Sequence, residues 1–141
     1  MPIRNYPFSV IRPGDLARPY LPVTIINPDT NKGIEVYALI DTGADECAVP
    51  ASYANLLGHD LQAGRQKTVS TGNGETIAYA HTTRFEIFDP STGGMACTID
   101  DTPIDFMPNL HVILLGVHSF LSRFIVHIDY PRQIFSIKHP Q

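Results

Sequence analysis

The chain has 141 residues, 43% apolar and 17% charged, with a formal charge of −4 and a pI of about 5.8. That is a globular composition at the length of one domain, enough to bury about 70% of the surface its unfolded chain exposes. The acidic balance removes the electrostatic basis for a nucleic-acid binder, and no apolar run reaches the roughly 18 residues a membrane span requires.

Residues 1–18 carry Pro2, Pro7 and Pro13 and read as an irregular or weakly paired arm ahead of a folded domain over 19–141. Arg4 and Arg12 interrupt any apolar stretch there, so the segment does not read as a secretory signal, and a cytoplasmic location is the expectation. The two cysteines, Cys47 and Cys97, lie 50 residues apart. A disulfide between them cannot be inferred from that spacing, and a reduced pair is the default.

From Tyr20 onward the pattern is strand-like. With 10 Gly and 12 Pro punctuating Ile-, Val-, Tyr- and Phe-rich runs, many short strands are favoured over a helix bundle. Leu21 to Ile26 and Gly33 to Ile40 read as a hairpin about Asn27-Pro28-Asp29. The unalternating run Tyr37-Ala38-Leu39-Ile40 predicts a strand end buried on both faces. Cys47 to Val49 resumes the apolar run, and Pro50 then opens a short helix over Ala51 to Leu57, stopped by Gly58. Leu61 to Arg65 reads as loop. Lys67 to Thr71 and Glu75 to Phe88 form a second hairpin, with Asn73-Gly74 as its turn signal. Met95 to Ile99 is a strand followed by an acidic, Pro-containing connection, Asp100 to Pro108. His111 to Leu115 is an apolar strand ending at Gly116, Val117 to Arg123 a short helix, and Phe124 to Ile128 with Gln133 to Ile137 a last hairpin. The fold class is therefore all-β, with one or two short helices.

The most informative segment is Ala38-Leu39-Ile40-Asp41-Thr42-Gly43-Ala44-Asp45. A carboxylate directly after a buried apolar strand is costly unless paired, hydrogen-bonded or protonated. Gly43 permits a sharp reversal, and the Thr42 hydroxyl can tie the turn to nearby backbone. By itself the triplet also fits an ordinary Asp-Thr-Gly turn. Its surroundings, with Ala44 and a second acid after it and Leu114-Leu115-Gly116 far downstream, carry more.

Leu39-Ile40-Asp41-Thr42-Gly43-Ala44-Asp45 resembles the active-site loop of the retropepsin-like aspartic peptidases, and Ile113-Leu114-Leu115-Gly116 is similar to the apolar-apolar-Gly element beneath that loop. The Gly72-Asn73-Gly74 hairpin falls between the two, where the family places its flap, and the likeness covers roughly residues 20 to 137. The resemblance implies a closed β-barrel-like acid protease lobe. It implies Asp41 as the catalytic acid, with Thr42 and Gly43 fixing its geometry. It implies substrate contacts from Ala44 and Asp45 on one side and from Gly72, Asn73 and Gly74 in a lid on the other. One departure stands out: members often place Arg after the second glycine to pair with the acid at Asp45, whereas Val117 and His118 follow Gly116 here. His118, Arg123, Arg132 or a substrate amide are the replacements to weigh.

The chemistry implied is peptide hydrolysis by a water held between two carboxylates, one ionised and one protonated, without metal or cofactor. The chain has one Asp-Thr-Gly and no internal repeat, so a second Asp41 must come from a second copy. Homodimerisation and a polypeptide substrate are thus the implied partners. Gln133 to Ile137 is the leading interface strand, the N-terminal arm the alternative, and an ordinary edge strand of the monomer the bland account.

Other chemistries are weakly supported. The six histidines, at 59, 81, 111, 118, 127 and 139, show no metal-ligand spacing and read as scattered surface residues. Cys47 lacks a nucleophile signature and reads as a small core residue. Asp100, Asp101 and Asp105 read as a solvated acidic turn, with recognition of a basic substrate as the less favoured account. Two competing functions remain: a non-catalytic peptide-binding or dimerisation module on the same fold, and a structural barrel in which the triplet is coincidental.

Overall fold

Alternation sets the first hairpin. In a computed structural model describing residues 2–141, β1 spans Ile3–Pro7, β2 Tyr20–Ile26 and β3 Gly33–Ile40. Leu21, Val23 and Ile25 of β2 point inward with Ala38 and Ile40 of β3, while Glu35 and Tyr37 face out. The end of β3 therefore keeps its alternation: Tyr37 is exposed and Leu39 half-buried, so only one face is fully covered.

β4 (Cys47–Pro50) is buried along its whole length and leads into α1 (Ser52–Leu56). Gly58, at φ +77°, ends the helix by letting His59 N–H reach the Ala54 carbonyl and Gly58 N–H the Asn55 carbonyl. The remaining Leu57 carbonyl accepts from Asn27 Nδ2 and the Thr30 hydroxyl, which fastens the helix to the β2–β3 turn. A short 3-10 turn at Leu61–Ala63 occupies the expected loop.

β5 (Arg65–Thr71) and β6 (Gly74–Phe88) form the second hairpin. Its two-residue turn is Gly72-Asn73, with Thr71 opposite Gly74. Neither turn residue has positive φ. The left-handed position is Gly74 at +105°, so the Asn-Gly pair places its glycine just after the turn rather than within it.

β7 (Met95–Met107) corrects the sequence reading: the expected acidic connection is a continuation of the strand, paired to β6 nearly to its end. Pro103 is tolerated because the second neighbour, β4, joins only from Ile104. Beyond that point Ile104 and Phe106 face the main core while Asp105 and Met107 are buried on the opposite face.

β8 (Ile113–Leu115) lies parallel to β3 and crosses β4 at Ala48. The order β2-β3-β8-β4-β7-β6 closes through β2–β6 pairing at Thr24–Glu86, a six-stranded barrel with β5 attached outside. Phe85, Phe106, Phe120, Phe135 and Leu115 fill its core. The segment after Gly116 forms turns and only a 3-10 turn at Leu121–Arg123, less helix than Val117 to Arg123 predicts. Among the described residues no helix is long and apolar enough to cross a membrane.

A separate sheet has the order β1-β10-β9, with β9 at Ile125–Asp129 and β10 at Ile134–Lys138. Two expectations change here. The first residues of the arm form a strand, and Ile3 is buried against the core. β10 is the middle strand, hydrogen-bonded on both sides, so Gln133 to Ile137 is neither a monomer edge nor a free edge for a second copy. The outer edges of this sheet belong to β1 and β9.

The histidines are not all scattered. His59 packs edge-on against His81 (4.8 Å between centroids) and Phe106 (5.3 Å), and His59 Nε2 is buried without a partner. Burial chiefly, then the neighbouring His81, holds the His59 pKa below its ordinary value, against an opposing pull from Asp29. The fold thus prefers the neutral ring, so its contribution is full above the unfolded value of about 6.5 and is lost as pH falls through the lowered folded one. Melting temperature is expected to drop between pH 7.5 and 5, and to drop less in His59→Phe; equal pH dependence in both proteins would contradict this.

Candidate active site

Parallel pairing of β3 with β8 carries two chain ends to the same place. Ile40 N–H is taken by the Pro19 carbonyl, and Asp41 N–H by the Leu115 carbonyl at 3.2 Å. The chain then reverses: Ala44 N–H reaches the Asp41 carbonyl at 3.2 Å, and Gly43 N–H donates to Asp41 Oδ1 at 2.9 Å. That second bond fixes the half-buried carboxylate relative to its own turn. Gly43 does not adopt positive φ; a Cβ there would sit 3.3 Å from Oδ1, so the glycine keeps room beside the acid. Thr42 is exposed, and no hydrogen bond ties its hydroxyl to the turn.

The loop is locked from below. Val117 N–H donates to the Ala44 carbonyl at 2.8 Å and His118 N–H to the Asp45 carbonyl at 2.7 Å. Such an approach is possible only because residue 116 is glycine: a Cβ at Gly116 would collide with the backbone carbonyl of Glu46. Gly116 N–H and the Ser119 hydroxyl both point at Cys47 Sγ, at 3.4 Å each. Cys47 is fully buried, its thiol pKa raised chiefly by that burial.

Val117, the residue after Gly116, thus joins the loop through its backbone N–H. Asp45 has no cationic partner among the described residues. His118 Nδ1 instead contacts Glu46 Oε1 at 2.8 Å, Arg123 bonds the Ser119 carbonyl, and Arg132 pairs with Asp129.

Above the loop, β5 closes a cleft of about 590 Å³. Asp41, Gly43, Ala44, Asp45 and Gly72 all line it. Thr42, Asn73 and Gly74 do not: Thr42 faces outward and the other two lie at the hairpin tip. Asp41 thus lines a cleft shared with the β5–β6 hairpin, and the sequence matches the family model described as "gag-polyprotein putative aspartyl protease" over residues 29–123, from before Asp41 to beyond Gly116. The chain belongs to that aspartyl protease family. Among solved structures, a retropepsin-like aspartic protease from Rickettsia conorii is 24% identical with a TM-score of 0.58, over 83% of this chain and 88% of that one, which shows a shared fold. No curated protein matches the sequence significantly.

This retropepsin-like lobe also has cleft residues that the sequence reading missed. Lys67, inward-facing on β5, reaches across β6 to Asp105 on β7 with Nζ 2.9 Å from Oδ1. The bridge passes over the short side chains of Ala78 and Ala80, the β6 residues opposite Lys67 and Asp105. Asp105 is thus buried and paired, not part of a solvated turn. The small residues at 78 and 80 were the available signal, but nothing in the sequence said which strands flank them. Glu46, Met107 and Leu114 complete the cleft wall.

Removing Lys67 leaves a buried carboxylate unpaired. Lys67→Met is expected to cost about 2 kcal/mol in urea unfolding, less than for a fully buried pair because the lysine side chain is 31% exposed. Adding Asp105→Leu should recover most of that loss; unchanged stability in the single variant would show that the pair is not structural. Gly116→Ala is expected to lose about 3 kcal/mol through the collision with Glu46, and a wild-type melting temperature would refute the close-approach argument.

Proposed function

We propose that the protein is an aspartic endopeptidase that acts as a homodimer, with Asp41 from each copy as the catalytic pair. The observation that carries this reading is the position of Asp41: half-buried at the cleft base, one oxygen held by Gly43 N–H, beneath a hairpin that covers the cleft. One such acid per chain cannot both activate a water and protonate a carbonyl oxygen. Two copies related by a two-fold axis supply both roles. The ionised carboxylate takes a proton from the water, whose oxygen attacks the scissile carbonyl. The protonated carboxylate donates to the carbonyl oxygen, and collapse of the resulting diol with proton return to the leaving nitrogen breaks the C–N bond. Two acids this close share one proton and titrate as a pair.

Each neighbour has a part in this scheme. Gly43 fixes the carboxylate, and the uncommitted Thr42 hydroxyl faces outward, available to the second copy. Ala44 and Asp45 bind one side of an extended peptide. Gly72, Asn73 and Gly74 form the lid tip, where hairpin backbone adds hydrogen bonds and excludes water. Dimerisation uses the free edges of β1 or β9, since both edges of β10 are occupied.

The test is cleavage of a denatured protein between mildly acidic and neutral pH. A bell-shaped pH–rate profile is expected, with activity lost roughly 10³-fold or more in Asp41→Asn while sedimentation still shows a dimer. Mixing wild type with Asp41→Asn should lower activity as the square of the wild-type fraction, because both acids are needed. Full activity in Asp41→Asn, or in a strict monomer, would sink the proposal. Peptide binding by wild type without turnover would assign the chain as a binding module instead.

A further inference from the structure

The tip of the β5–β6 hairpin holds the chain's one Asn-Gly pair, Asn73-Gly74. Both residues are exposed, and the Asn73 carboxamide has no hydrogen-bond partner among the described residues. A Cβ built on Gly74 would meet nothing within 4 Å, so the space beside that stretch of backbone is open. One hydroxyl straps the turn: Thr71 Oγ1 accepts from Asn73 N–H at 3.2 Å and donates to the Gly74 carbonyl at 2.8 Å. The other asparagines are placed differently. Asn27 is buried, its amide donates to the Leu57 carbonyl, and Pro28 after it has no N–H. Asn5, Asn31, Asn55 and Asn109 precede Tyr6, Lys32, Leu56 and Leu110, whose side chains crowd the following backbone nitrogen.

We propose that Asn73 is a site of spontaneous covalent modification, a deamidation that also isomerises the backbone at the hairpin tip. The Gly74 backbone nitrogen attacks Asn73 Cγ. A C–N bond forms, the attacking nitrogen gives up its proton, and the side-chain nitrogen leaves as ammonia. The product is a cyclic imide, which one water opens. Addition at Cγ gives aspartate; addition at the Asn73 backbone carbonyl gives isoaspartate, in which the chain runs through the side chain. The net change is carboxamide plus water to carboxylate plus ammonium, with no electron transfer. Gly74 makes the attack possible, because no Cβ stands beside its nitrogen. Isoaspartate adds a methylene inside the loop that Thr71 straps, and the hydroxyl cannot span the longer backbone. Either product also places a carboxylate next to Glu75, exposed at the same tip, and the two acids repel. The modification does not depend on the peptidase reading; within that reading it falls on the lid.

The test follows the full chain, warmed at neutral pH, sampled over days and digested with trypsin. The fragment from Thr68 to Arg84 carries Asn73 as its only carboxamide side chain, so an amide-to-acid mass gain there reports this residue alone. Electron-transfer fragmentation separates isoaspartate from aspartate, and a synthetic peptide of the same sequence gives the unfolded rate. Asn73 is expected to convert about tenfold faster than any other asparagine of the chain, since only its neighbour lacks a Cβ, and to yield both products. Asn73→Gln should abolish the gain. The converted protein, separated by charge, should lose amide-exchange protection over the Val69 to Thr76 end of the hairpin and keep it in the barrel. An unchanged fragment in the folded protein while the synthetic peptide converts overturns the proposal, as does faster conversion at another asparagine. Aspartate without isoaspartate excludes the imide and overturns it too. Full protection at the tip of the converted protein refutes the broken strap.

Discussion

The contact on which this structure depends is the crossing of Gly116 over the backbone of Glu46. β3 and β8 arrive side by side, and each ends at a residue that must turn away without a clash. The absent side chain at Gly116 lets the following N–H groups reach the carbonyls of Ala44 and Asp45. The Asp41 N–H is held in turn by Leu115. With its partners supplied by main chain, the catalytic-type loop has its shape set by the barrel and does not require a dedicated side-chain clamp. This gives a physical account of how the loop does without an arginine after the glycine. Its immediate anchors are carbonyls and amides, which carry no long side chain to order and no net charge to desolvate.

Strands β4, β5, β6, β7 and β8 meet around one small second core. Ala48, Ala78 and Met107 are buried there, with Val69, Leu110 and Leu114 packed against them. The short alanines matter twice. They leave the cleft open above Asp41, and they let Lys67 lie over β6 to meet Asp105. The cleft wall thus carries the Lys67–Asp105 ion pair beside Asp45 and Glu46. Fixed charges act strongly in such a confined space.

The loop bearing Asp41 leaves Thr42 exposed with a free hydroxyl, and the three-stranded terminal sheet is completed within one copy. Its outer strands, β1 and β9, are therefore the edges left open. Open groups thus lie at the Asp41 loop and the terminal sheet, and also at the outer edge of β5 and the buried His59 Nε2.

The sequence alone determined the all-β class and the order of the hairpins, because both are encoded locally in alternating apolar residues and in the Asn-Gly and Asn-Pro-Asp turns; the barrel and the relation of Asp41 to Gly116 were implied only by the family resemblance. It also determined that one chain holds one Asp-Thr-Gly, which is a matter of counting. What it could not decide was which strands become neighbours. Asp100 to Met107 looked like a polar loop until β6 and β4 paired with it, and only then did Asp105 become a buried partner of Lys67. The last hairpin was legible, but its pairing with the N-terminal strand was not, for the same reason: Tyr6 and Phe135 lie at opposite termini, and only long-range pairing makes β10 a central strand. Partners more than a hundred residues apart leave no periodic trace along the chain, so the tertiary structure had to settle them.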